Sequence, residues 1–80
     1  HNVDDNIETI AKRVRSARIL TGLSREQFHQ KYGIHRNTLK LWESSTADRR
    51  KLTLTGAKRF VSALQKEGIT CSINWLFEGI

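Results

Sequence analysis

Eighty residues suffice for one domain, and a chain of that size buries only about 60% of the surface its unfolded form exposes. That allows a small core and excludes a deeply enclosed enzyme pocket. Fourteen Lys and Arg against eight Asp and Glu give a net charge of +6 and a pI near 10.1, which favours a polyanionic partner, either nucleic acid or an anionic membrane surface.

Cys71 is the only cysteine, so an internal disulfide and a thiolate metal cluster are both excluded. The residue reads as a small apolar filler in a cytoplasmic protein. No apolar run reaches the length of a transmembrane helix or a signal-peptide core. The chain opens His1-Asn2 and contains no methionine, so residues 1–4 are expected to be disordered or tag-derived and the domain to occupy 5–80.

Five helices are predicted, with no proline, repeat or strand pattern between them. The first covers 7–21, with Asp5 as cap, Glu8 three residues on and Gly22 as stop. Its inner stripe is Ile7, Ile10, Val14 and Ala17, and its other face carries Lys12, Arg13, Arg15 and Arg18. The second starts at Ser24, where Ser24 and Gln27 have capping-box spacing, and ends near Tyr32 before Gly33. Phe28 and Tyr32, one turn apart, face the core. The third covers 35–43, with Leu39 and Trp42 inward. "SSTADRRKLT" is a polar, basic loop. Thr53 caps a fourth helix with the stripe Leu54, Ala57, Val61 and Leu64, closed by Gly68. Ser72 opens a short fifth helix, "SINWLFEG", with Gly79 as stop. The fold class is therefore all-α, and both tryptophans, Trp42 and Trp75, are assigned to the core.

Between the second and third helices lies only "GIHR", with Gly33 where a left-handed turn residue is wanted. So short a turn forces a steep crossing, the helix-turn-helix arrangement, here at 24–43. Ile34 plugs the space between the helices, leaving His35, Arg36, Asn37, Lys40 and Leu41 around the start and outer side of the third. From "RVRSARILTGLSREQF" through "GIHRNTLKLWE", and again at "SINWLFEG", the chain resembles the Cro-repressor-like (XRE) family of phage-repressor helix-turn-helix domains. The resemblance spans about residues 7–79. It implies a compact five-helix bundle of the lambda-repressor-like DNA-binding type, with the third helix in the major groove.

The resemblance places base contacts on Arg36, Asn37 and Leu41. Their chemistry agrees: Arg suits the O6/N7 edge of guanine, Asn the N6/N7 edge of adenine, and Leu a thymine methyl. Arg25 falls where the family grips phosphate at a helix N-terminus. Lys40, His35 and the loop residues Arg49, Arg50 and Lys51 are further phosphate candidates, a loop arginine alternatively entering the minor groove. Thr38 reads as a packing residue. The family also pairs an arginine at the position of Arg18 with the glutamate that closes the recognition helix, here Glu43. Two departures stand out. His29 occupies a position usually held by a small residue, and His35 stands where Ser, Thr or Asp usually caps the third helix.

The resulting expectation is a transcriptional repressor that binds a double-stranded operator as a homodimer, with "NWLFEGI" as a self-association patch. A C-terminal effector domain is expected in a longer protein, with no cofactor, metal or membrane partner. His29 and His35 lack metal-ligand spacing, no nucleophile pairs with either, and the carboxylates are scattered, which argues against an enzyme. A protein-interaction module on the same helical fold is the alternative. A membrane-surface role would need a broad apolar face, whereas the first helix spends its stripe on the core.

Overall fold

In the computed structural model, which describes residues 9–48 and 50–79, every helix starts on a side chain that accepts from its own first turn. Thr9, Ser24, His35, Thr53 and Ser72 do so for α1 (Ile10–Thr21), α2 (Arg25–Tyr32), α3 (Arg36–Trp42), α4 (Leu54–Lys66) and α5 (Ile73–Glu78). The first amides of a helix have no partner within it, so these side chains decide where each helix begins. Ser24 and Gln27 form the full reciprocal capping box. The described residues contain no strand, and the class is all-α as expected.

Among the described residues thirteen apolar side chains are buried, and twelve of them form one cluster. Val14 and Ala17 come from α1, Phe28 from α2, Leu39 and Trp42 from α3, and Leu76 from α5, with Ile34 and Leu52 supplied by the connecting segments. α1 packs on α3, α4 and α5, α2 packs on α3, and α4 on α5. The Cα radius of gyration is 11.5 Å. Trp42 is buried, and its indole N–H donates to the Lys51 carbonyl at 3.0 Å, which pins the long loop to the core. Trp75 is half-buried at the edge of the cluster rather than enclosed.

Four expectations need correction. α1 begins at Ile10, because Thr9 takes an extended backbone and its hydroxyl accepts from the Lys12 amide at 3.2 Å. The expected cap Asp5, together with Ile7 and Glu8, lies outside the described residues. Arg13, assigned to the solvent face, is 4% exposed. Its Nε donates to the Leu76 carbonyl at 2.9 Å and its Nη2 to the Phe77 carbonyl at 3.1 Å. These carbonyls belong to the last turn of α5, where helical partners run out and a cation is favoured.

α4 is also rotated from its expected stripe. Leu54 is exposed, while Phe60 and Ala63 join Ala57 and Leu64 inside. Phe60 lies with its ring centroid 5.6 Å from Phe28 and 6.0 Å from Trp42, so the bulkiest side chain of the helix sets its rotation. Finally, the described part of "NWLFEGI", residues 74–79, is not an exposed apolar patch, and Ile80 lies outside the described residues. Leu76 is buried, and Trp75 and Phe77 pack half-buried against the core.

Candidate nucleic-acid interface

Three residues, Gly33, Ile34 and His35, join α2 to α3. Gly33 holds φ 76°, a left-handed backbone that a side chain would strain. Ile34 is buried beneath the turn. His35 Nδ1 accepts from the Asn37 amide at 3.0 Å, so the imidazole caps α3 after all. With Nδ1 engaged as an acceptor, the expected donation to phosphate falls to Nε2, the nitrogen that carries the proton in that tautomer. His29 lays its ring against His35, centroids 4.5 Å apart, which is how the turn accommodates a bulky residue at that position. His29 Nδ1 is buried with no hydrogen-bond partner.

Burial of Leu39 and Trp42 turns the opposite side of α3 outward. Arg36, Asn37, Lys40 and Leu41 are all exposed there, Leu41 at 44%, while Thr38 is half-buried. Arg36 is not idle, because its Nη1 donates to Glu26 Oε1 at 2.7 Å. That bond, opposed by some desolvation, holds the Glu26 carboxyl below its ordinary range. Both side chains are about half exposed, and a pair so placed is easily separated by a competing ligand.

Glu43 closes α3 with its side chain only 1% exposed. The Arg18 guanidinium grips it through Nε at 2.6 Å and Nη2 at 3.1 Å, and Arg18 Nη1 donates to the Leu23 carbonyl at 2.8 Å. The expected Arg18–Glu43 pair is therefore present as a two-pronged bond. Arg25 adds a third contact, Nη2 to Glu43 Oε1 at 3.1 Å, with its side chain 40% exposed and its Nε buried without a partner. One carboxylate thus fastens α1, the first turn of α2 and the end of α3 together. Arg25, expected to face phosphate, spends one donor inward on this cluster.

In the loop, Asp48 accepts from the Arg50 and Lys51 amides at 2.9 and 3.1 Å. These bonds, that of Lys51 foremost, hold its carboxyl below the usual range. The Arg50 side chain is almost fully exposed, while Lys51 is half-buried with its ammonium on the Thr46 hydroxyl at 2.7 Å. Arg49 lies outside the described residues.

Two contributors escaped the reading of the sequence. Glu26, which the sequence does not single out, partners Arg36 ten positions later. Arg59 of α4 donates to the Gly33 carbonyl at 3.3 Å, across 26 positions. Neither separation produces a local pattern. Among the described residues no three His, Cys, Asp or Glu are placed to hold a metal ion, and no helix is long and apolar enough to cross a membrane. In comparisons with known proteins, no family model, no curated protein and no solved structure matches this chain.

Proposed function

We propose that the chain is a sequence-specific, double-stranded DNA-binding domain of a prokaryotic or phage-type transcriptional repressor, cytoplasmic and acting as a homodimer on a two-fold operator. The reading rests on the outer side of α3. Arg36, Asn37, Lys40 and Leu41 are exposed together there, while the helix behind them is fixed through buried Leu39, Trp42 and Glu43. An arginine, an amide and an apolar tip on one rigid helix are the side chains that read base edges in a major groove. The resemblance to the Cro-repressor-like family and the net charge of +6 support the same reading.

The test is binding to duplexes selected from a random pool, titrated across salt. Each phosphate neutralised contributes about 0.9 to the slope of log K against log salt, and affinity that ignores salt would remove DNA as the partner. Arg36→Ala and Asn37→Ala should each cost roughly 1–3 kcal/mol on the selected site and relax base preference there. Arg25→Ala should weaken all sequences alike. A change in base preference from Arg25 and none from Arg36 would overturn the placement of α3. A second reading, a protein-interaction module, is favoured by one observation, the exposed Ile19 and Leu20 on α1. It requires partner binding that survives loss of both Arg36 and Asn37.

A further inference from the structure

A cleft of about 340 Å³ opens beside the α2–α3 turn, lined by Tyr32 at the end of α2 and by Lys58, Arg59, Ser62, Ala63 and Lys66 of α4. Positions 58, 62 and 66 repeat every four residues, and 59, 63 and 66 follow the same helical spacing, so α4 turns three cations to one side. Lys58 and Lys66 meet no carboxylate among the described residues, and Arg59 has only the Gly33 carbonyl at 3.3 Å. Glu67, next to Lys66 in the chain, is already engaged by Lys31 at 2.6 Å and by the Tyr32 hydroxyl. α4 contains no acid, so an anion entering the cleft would meet these cations without first displacing a carboxylate of that helix.

The size and lining narrow the counter-charge. A volume of about 340 Å³ lies at the small end of ligand pockets and far exceeds one inorganic anion. The lining mixes ammonium and guanidinium heads with a phenol ring, a methyl group and lysine stems, which suits a compact organic body bearing one concentrated charge. A dianion answers three cations better than a monoanion, and the guanidinium fork matches two phosphoryl oxygens. We propose that the cleft binds a small organic phosphate, a phosphomonoester, with Lys58, Arg59 and Lys66 on its phosphoryl oxygens and Ser62 donating a hydrogen bond. The ligand and the Gly33 carbonyl draw on the same guanidinium. Occupancy is therefore felt at the turn that sets the start of α3.

The test is an amide NMR titration of the free protein, so its outcome does not depend on DNA binding. Phenyl phosphate should give saturable shifts centred on Tyr32, Gly33, Arg59, Ser62 and Ala63, inorganic phosphate weaker ones, and phenol none. Lys58→Gln combined with Lys66→Gln should weaken phenyl phosphate about tenfold or more, while Lys40→Gln leaves it unchanged. Equal shifts spread over Arg25, Arg36 and Lys40, or an undiminished affinity in the double variant, would reduce the effect to general charge attraction and overturn the site. Benzoate binding as tightly would overturn the phosphate assignment. Duplex DNA that shifts the same amides and excludes phenyl phosphate would make the cleft part of the DNA track, and the small-ligand site would fall.

Discussion

Glu43 carries its charge at the unfavourable end of a helix, where the dipole disfavours anions. Its side chain is also only 1% exposed, so its cost is offset only by the Arg18 fork and by Arg25. Removing one member of such a buried cluster leaves an uncompensated charge, a loss of about 3–5 kcal/mol where burial is deep. Glu43→Ala and Arg18→Ala are both expected to lose stability on that scale in urea denaturation. Arg25→Ala should lose much less, since its side chain is 40% exposed and Arg18 still holds the carboxylate. A double-mutant cycle on Arg18 and Glu43 isolates their coupling, and a value within error of zero would deny the pair any part in fixing α3. The pair was foreseen through the family resemblance alone. Residues 25 positions apart leave no trace in helical periodicity.

Gly56, in the first turn of α4, shows how elements constrain one another beyond what spacing reveals. A Cβ there would stand 2.8 Å from Trp42 Cζ2, inside contact distance. The indole cannot yield easily, being buried and held at its N–H by the Lys51 carbonyl. Alanine gains about 1 kcal/mol in helix propensity over glycine, while overpacking a tight core costs typically 1–3 kcal/mol. Gly56→Ala is therefore expected to lose about 1 kcal/mol net, read from the urea midpoint; a higher midpoint would mean that α4 is free to shift. Local chemistry was legible in the sequence wherever it sufficed. Ser24, Thr53 and Ser72 were recognisable as caps because a cap acts within three residues of itself. The start of α1 was not, because Asp5 and Thr9 are both cap types and the capping-box spacing of Glu8 favours Asp5, whereas the cap found is Thr9. The burial of Arg13 and the rotation of α4 depend on α5 and on Phe28 and Trp42, partners that lie far away in sequence. The exposed side of α3 was legible because Leu39 and Trp42 dictate it from within a single helix.

At the scale of the whole molecule, the face proposed to read DNA is one seven-residue helix with four exposed outer side chains, a small area for tight and selective operator binding. In the proposed homodimer a second copy would double that face about a two-fold axis and so supply what one domain lacks. The surface suited to it lies on α1 and the segment before α5. Leu20 is 73% exposed and Ile19 53%, and Leu20 borders a largely apolar groove of about 360 Å³ shared with Ala17, Ile69, Cys71 and Trp75. A projecting leucine beside an apolar groove is self-complementary, since each copy can fill the groove of the other. Burying a leucine contributes about 1.5–3 kcal/mol, and a two-fold interface contains the contact twice. Leu20→Glu should therefore raise the dimer dissociation constant by at least about a hundredfold in sedimentation equilibrium. Because Leu20 is exposed, its urea midpoint should stay close to that of the parent chain. On DNA the parent should protect two half-sites about 10 bp apart, centre to centre, and the variant at the same concentration only one. A variant that dimerises as tightly as the parent would move the interface off this groove, and a parent that binds a lone half-site as a monomer would remove the dimer from the proposal altogether.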